Sequence, residues 1–200
     1  MGKIICLLGK SSTGKDTIYK RLLAREELGL HPIVTYTTRP IRAGEKEGTE
    51  YHFTDEDGYL HLKAAGKVVE ERAYHTVHGL WRYFTVDDAS LDLAHNDYLI
   101  AAGTLVAYAG IRDYYGADRV VSILIDVDDG VRLQRALNRE RKQEHPKYEE
   151  MCRRFLADSE DFAPEKVRQA GISTVIQNED LDLCLYEIIA YVKCVQNGVQ

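Results

Sequence analysis

Gly9-Lys10-Ser11-Ser12-Thr13-Gly14-Lys15-Asp16-Thr17 is the stretch whose reading decides the fold. It follows the apolar run Ile4-Ile5-Cys6-Leu7-Leu8 and leads into an amphipathic segment containing Ile18, Leu22 and Leu23. A strand, a glycine-bounded loop carrying Lys, and then a helix is the setting of a phosphate-binding P-loop. The first turn of a helix has N–H groups without intrahelical partners and the positive end of the macrodipole, so it attracts polyphosphate. Gly9 and Gly14 let the backbone curl into an anion-holding nest, and Lys15 reaches the outer phosphates. The candidate nucleotide-binding residues are therefore Gly9, Ser11, Ser12, Thr13, Gly14, Lys15, Asp16 and Thr17. The strict pattern places Ser or Thr directly after the Lys; here Asp16 stands there, with Thr17 one further on. Asp16 and Thr17 are the candidate metal-site residues, because hard cations accept such oxygens. Two blander readings stay open: Asp16 as an acidic residue that suits the helix dipole, and the whole loop as an ordinary glycine-rich turn.

Working outward, 200 residues fit one domain with room for a small inserted part. A net charge of −6 argues against a general nucleic-acid binder, although cations converging in one cleft would still hold a phosphate ligand. No apolar run is long enough to span a bilayer, and Met1-Gly2-Lys3 leads straight into the first strand, so no membrane association and a cytoplasmic location are expected. Cys6, Cys152, Cys184 and Cys194 are widely spaced and give no disulfide or zinc pattern; Cys6 reads as a small buried hydrophobe. His75 and His78 are three apart, but in strand and turn rather than helix, which makes a weak metal pair.

The first helix is predicted from about Asp16 to Glu27, stopping near Gly29. His31-Pro32 breaks it, and Ile33-Val34-Thr35-Tyr36-Thr37-Thr38 reads as a short strand. That strand delivers Arg39-Pro40-Ile41-Arg42-Ala43-Gly44-Glu45, then Gly48 and Tyr51-His52-Phe53. Arg39 and Arg42, with a Tyr nearby, make an anion clamp, since guanidinium forks match phosphate oxygens; taken alone, such arginines are more often solvated surface. Asp87-Asp88-Ala89-Ser90 is expected to begin a helix, and Tyr98-Leu99-Ile100-Ala101-Ala102 a buried strand ending at Gly103. A helix from Thr104 to Tyr115 and a strand from Arg119 to Ile125 follow. Asp126, at that strand's end, is a turn residue or a metal-site carboxylate, before a helix capped by Asp128 or Asp129. Arg135, Arg139 and Lys142 then share a helical face. Another helix spans about Tyr148 to Gln169, interrupted at Pro164; Ile172–Ile176 is the last strand and Leu181–Val195 the closing helix.

Taken together, the sequence resembles the guanylate kinase family of nucleoside monophosphate kinases. The resemblance rests on the P-loop, on Thr37-Thr38-Arg39-Pro40 with Arg42-Ala43-Gly44-Glu45, and on Gly48 and Tyr51-His52-Phe53. It also rests on Val77-His78-Gly79 before Tyr83-Phe84-Thr85 and on Asn178-Glu179-Asp180-Leu181, and it runs from about residue 3 to residue 192. It implies an α/β P-loop three-layer fold: a core of residues 1–33, 91–135 and 170–200, a small mixed nucleoside-monophosphate lobe at 34–90, and a helical lid at about 136–160. It implies that Arg39, Arg42, Tyr51 and Tyr83 hold the acceptor's phosphate, that Thr35 and Thr85 supply hydroxyls near the base, and that Glu70 or Glu71 recognises the base. A carboxylate facing two N–H donors of guanine is sound recognition, because a base lacking them leaves it unpaired. Lid arginines matching by spacing are Arg135, Arg139 and Arg154, with Arg141 an alternative register; with Lys15 and Arg39 they form the candidate catalytic set. The implied partners are ATP with Mg²⁺ and a nucleoside monophosphate, GMP or dGMP, in a monomer or homodimer. One departure stands out. Where the family has an Asp-x-Asp pair at a strand end, this chain has Ala101 and Gly103, so metal ligation would rest on Asp16, Thr17, water and substrate phosphates. A same-fold kinase of another phosphorylated acceptor, such as a ribose bisphosphate, and a non-catalytic binding module are the alternatives.

Overall fold

The first strand, β1 (Ile4–Leu8), is buried on both faces, and its alternation sorts the core into two halves. Ile4, Cys6 and Leu8 pack into one apolar cluster, Ile5 and Leu7 into another. The computed structural model describes residues 2–42, 44–76, 79–88 and 91–198. After β1 come α1 (Lys15–Leu23), a 3-10 turn at Glu26–Leu28, β2 (Leu30–Pro32), β3 (Tyr36–Thr37), β4 (His52–Phe53), α2 (Glu56–Ala64), β5 (Val68–Thr76), β6 (Gly79–Val86) and β7 (Asp97–Ala101). The rest is α3 (Leu105–Tyr115), β8 (Val120–Asp126), α4 (Asp129–Glu140), α5 (Tyr148–Asp161), α6 (Pro164–Gln169), β9 (Val175–Gln177) and α7 (Leu181–Gln196).

The core sheet is parallel, in the order β2-β7-β1-β8-β9. Tyr108 and Ile111 of α3 cover one face; Ile18 and Leu22 of α1 with Cys184, Ile188 and Val192 of α7 cover the other. This is the three-layer α/β architecture the sequence implies. Because β1 lies between β7 and β8, the chain leaves its C-terminal end at a switch in strand order, where open α/β sheets gather ligands. A second, mixed sheet in the order β4-β3-β6-β5 carries α2 against it through Tyr59, which meets Phe84 edge-on at 5.1 Å.

Several sequence expectations are corrected. The first helix stops at Leu23 rather than near Glu27: the chain tightens into the 3-10 turn, which drops Leu28 into the core before Gly29 turns left-handed. The strand expected over residues 33–38 serves two sheets. Ile33 N–H still bonds Leu99 O of the core, whereas Tyr36 and Thr37 pair with β6 and β4; a β-branched run carries no label for its partner. Among the described residues no helix follows Asp87-Asp88: the Asp87 N–H bonds Lys67 O, its carboxylate accepts from the Tyr114 hydroxyl, and residues 91–96 make a turn on Asp92 O. Ala89 and Ser90 of that motif lie outside the described residues, as do Ala43, Val77 and His78. The last strand is Val175–Gln177, not residues 172–176, because Ile172 caps the core cluster beyond α6 instead. All four cysteines are free thiols.

Candidate active site

The loop between β1 and α1 has the backbone that a nest of N–H groups needs. Gly9, Ser12 and Gly14 have φ of 152°, 68° and 91°, so the chain reverses hand three times within six residues. A Cβ at Gly9 would lie 2.7 Å from Ile125 O, and one at Gly14 2.4 Å from Asn178 Nδ2; only glycine fits either place. Thr13 is wholly buried beneath the loop, its hydroxyl donating to Lys10 O at 2.9 Å. Asn178 Nδ2 donates to Thr13 O at 2.6 Å, pinning the loop to the end of β9. Above the loop lies a cavity of about 500 Å³ lined by Gly9, Ser11, Ser12, Gly14, Lys15, Asp16, Thr17, Arg135, Arg139 and Arg154.

A second cavity, about 690 Å³, adjoins it and shares Lys15, Asp16, Gly103 and Arg154. Thr35, Arg39, Arg42, Tyr51 and Tyr83 line it. Arg39 is 3 % exposed: its guanidinium lies over the rings of Tyr51 (5.0 Å) and Phe53 (5.4 Å) and forms a fork with Glu45 at 2.7 and 2.6 Å. That fork holds the Glu45 carboxyl well below its usual range, at about 2. Burial, with Tyr83 beside it, raises the Tyr51 phenol, which keeps it a neutral hydrogen-bond donor. Nine Lys and Arg residues against five Asp and Glu line the two cavities, so a chain of net charge −6 still concentrates positive charge where phosphate would sit. Two buried polar groups in these walls, Ser12 Oγ and Arg39 Nε, have no hydrogen-bond partner among the described residues. Such groups are costly unless something else satisfies them.

Comparison with known proteins follows this geometry. A family model described as guanylate kinase matches residues 1–79. A guanylate kinase of Symbiobacterium thermophilum is 31% identical over 204 residues, covering 98% of this chain and 90% of that protein. The chain belongs to the guanylate kinase family. Shorter matches include guanylate kinases of Anaplasma phagocytophilum (37% identical over 70 residues) and Porphyromonas gingivalis (32% over 126 residues). These matches span 35% and 62% of this chain, and 33% and 65% of those relatives' lengths. The crystal structure of the Anaplasma phagocytophilum guanylate kinase superposes with a TM-score of 0.69 at 20% identity, covering 98% of this chain and 86% of that one; at that identity it attests the fold.

Within the family frame, the two candidate base-reading carboxylates part company. Neighbours on a strand point to opposite faces. Glu71 faces α2, where Lys63 and the Tyr59 hydroxyl bind it; burial would raise its carboxyl, but these partners outweigh it and hold it below its usual range. Glu70 faces the same side as Tyr83 and Thr85 but does not line the cavity: Arg72 and Thr85 occupy its oxygens. Ala101 and Gly103 line the wall without a carboxylate. Among the lid arginines, Arg135 donates to Asn178 O at 2.9 Å and Arg139 lines the loop cavity, while Arg154 is held by Glu150 at 2.8 Å. Arg141 lines neither cavity.

The sequence reading missed three supports. Arg132 is 1 % exposed; it pairs with Asp129 and Asp158 and stacks on Phe155 at 4.0 Å, joining α4 to α5. Asp158 also accepts the Ser11 N–H at 2.7 Å. Asp126, left open between turn and metal site, accepts from Gln177 and ties β8 to β9, and Asp128 is the cap of α4. Only Asp128 was signalled, by its place before a helical run.

Asp16 is 87 % exposed and its carboxylate meets Lys15 Nζ at 3.1 Å, beside Thr17. Among the described residues no three His, Cys, Asp or Glu side chains cluster as a metal cage. Mg²⁺ seldom needs one: it usually takes one or two carboxylates together with substrate phosphates and water. The donor set therefore fits that ion. No helix among the described residues is long and apolar enough to cross a membrane.

Proposed function

We propose that this chain transfers the γ-phosphoryl group of ATP to the phosphate of a nucleoside monophosphate, with GMP or dGMP as the leading acceptors. One observation carries the reading: the P-loop cavity and the Arg39–Tyr51–Tyr83 cavity adjoin through Lys15 and Arg154, so donor and acceptor phosphates would meet at residues both cavities share. The acceptor's phosphate oxygen is already an anionic nucleophile, so positioning and charge compensation carry the catalysis. Loop N–H groups and Lys15 hold the donor's outer phosphates. Arg39 and Arg42 grip the acceptor, with Arg39 Nε finding there the partner it lacks, and the Tyr51 and Tyr83 hydroxyls add donors. Arg135, Arg139 and Arg154 offset charge on the transferring group, Arg154 first leaving Glu150. Asp16 and Thr17 would hold Mg²⁺, which neutralises phosphate charge when bound. Residues 34–90 serve as acceptor lobe and 136–160 as a lid that excludes water. An enzyme of this kind works on the cytoplasmic nucleotide pool.

The test is ADP release from ATP-Mg²⁺ with GMP, dGMP, AMP, CMP, UMP and a ribose bisphosphate. Turnover with a monophosphate is the expected result. Turnover only with the bisphosphate would move the acceptor class, and none with any acceptor would favour a binding module.

A further inference from the structure

On the β5–β6 side of the acceptor cavity it is Arg72, not Glu70, that lines the wall. Glu70, Arg72, Tyr83 and Thr85 share one face of the β5–β6 pair, in the register Glu70↔Thr85 and Arg72↔Tyr83. The Glu70 carboxylate is spent within the protein. Oε1 accepts from Thr85 Oγ1 at 2.8 Å and from Arg72 Nη2 at 3.2 Å, and Oε2 accepts from Arg72 Nε at 3.1 Å. Its side chain is 4 % exposed and does not reach the acceptor cavity, whereas Arg72 does.

Arg72 Nη1 makes no hydrogen bond among the described residues and lies 3.5 Å from where a Cβ on Gly103 would be. A side chain at residue 103 would touch Arg72 there, and neither Gly103 nor Ala101 brings a side-chain acceptor to it. At this part of the wall Arg72 offers N–H donors and Glu70 brings no free oxygen; the carboxylates that line the cavity elsewhere, Asp16, Glu45 and Glu50, accept from Lys15, Arg39 and the Lys46 N–H. A guanidinium has donors only. The N1–H and N2–H₂ edge of guanine would meet it donor to donor, and an unpaired buried donor weakens binding by about tenfold or more.

We propose that Arg72 determines acceptor specificity, and that the true acceptor presents hydrogen-bond-accepting atoms to it. These are either the keto edge of a base, as guanine and hypoxanthine share in O6 and N7, or a second anionic group. Arginine pairs with either in its fork geometry. This rests on the acceptor-cavity reading above and deepens it: a purine is read here through O6/N7, so the 2-amino group goes unread.

The decisive comparison is GMP against IMP, which differ only by that amino group. For the wild type, kcat/KM for IMP is expected within about threefold of that for GMP, with AMP at least tenfold lower because its N6 amine is a donor. Arg72→Met frees Glu70, and the GMP-to-IMP ratio is then expected to rise at least tenfold, through KM rather than kcat. Glu70→Gln, which loosens Arg72 without removing it, raises both KM values together and keeps the ratio; it serves if Arg72→Met is unstable. A ribose bisphosphate that outperforms every nucleotide, and loses that advantage in Arg72→Met, assigns the oxygens to an anion. A wild-type preference for GMP over IMP of tenfold or more, or a ratio unmoved by Arg72→Met, overturns the proposal. Calorimetric binding of GMP and IMP without ATP reads the same ratio independently of turnover. Absence of turnover with any acceptor, while both nucleotides bind equally, overturns the kinase reading and leaves Arg72 its role; absence of binding overturns the role of Arg72.

Discussion

The two cavities meet at Lys15 and Arg154 yet are built on different principles. On the loop side the cavity wall is set mostly by backbone: three positive φ angles, and glycines whose Cβ atoms would strike Ile125 O or Asn178. On the acceptor side it is side chain, drawn from residues 35 to 83, and its cations are held by acids: Arg39 by Glu45, Arg72 by Glu70. Backbone sites tolerate little change, because each donor is fixed by its neighbours' dihedrals. Side-chain sites are revised one residue at a time. The contrast fits a chain with a nearly regular P-loop pattern beside a second cavity whose strand end carries Ala101 and Gly103.

The sharpest break of that comparison is Lys15→Met. Loss of a preorganised cation at the donor phosphates is expected to lower kcat by about 10²–10³-fold, followed as ADP release at saturating substrates. An unchanged kcat would remove Lys15 from the transferring phosphate.

Arg39→Met strikes the other cavity. Removing a charge-assisted fork is expected to raise the acceptor KM by about 10- to 100-fold and to leave the ATP KM within a factor of about two, since no backbone donor is disturbed. If both KM values rise together, the two cavities are not separate sites. The variant also strands Glu45, so its Tm should fall.

Gly110→Ala probes how the acceptor wall is mounted on the core. Gly110 lies within α3, where Ala would normally favour the helix by about 1 kcal/mol. A Cβ there would stand 2.6 Å from Glu70 Cβ. Overpacking of that kind typically costs about 1–3 kcal/mol, so the net expectation is a loss of about 1–2 kcal/mol in chemical denaturation. The acceptor KM should rise with the displacement of Glu70 and Arg72. A stabilised variant would show that β5 can yield.

What was legible in the sequence follows the same division. β1, the P-loop, α3, the Asp128 cap and α7 were readable because their signals are local: an apolar run, a glycine spacing, a capping side chain. The motif that brings Arg39, Arg42 and Tyr51 to one cavity was readable, though not its wiring. That Glu45 holds Arg39, that Arg72 claims Glu70, and that Arg132 is buried between helices depend on contacts across 2 to 26 residues, which no periodicity encodes. The strand split between Pro32 and Tyr36 was hidden for a related reason: β propensity marks a strand without naming its sheet.

The smallest effect concerns pH. Glu45 sits at about 2 in the folded chain, chiefly because Arg39 donates to it, against an ordinary value of 4.5. Between those values the unfolded chain binds a proton the folded chain does not, so acidification through that window removes the pair's contribution, which is fully present above it. The pair is partly exposed, and about 1 kcal/mol is the order expected. Glu45→Gln should therefore lower Tm by about 2–4 °C at neutral pH, with a constant difference from wild type between pH 8 and about 5.5 that shrinks as pH falls below about 4.5. A difference that widens on acidification would mean that Glu45 is not the acid anchoring Arg39, and that the side-chain half of this site is held in some other way.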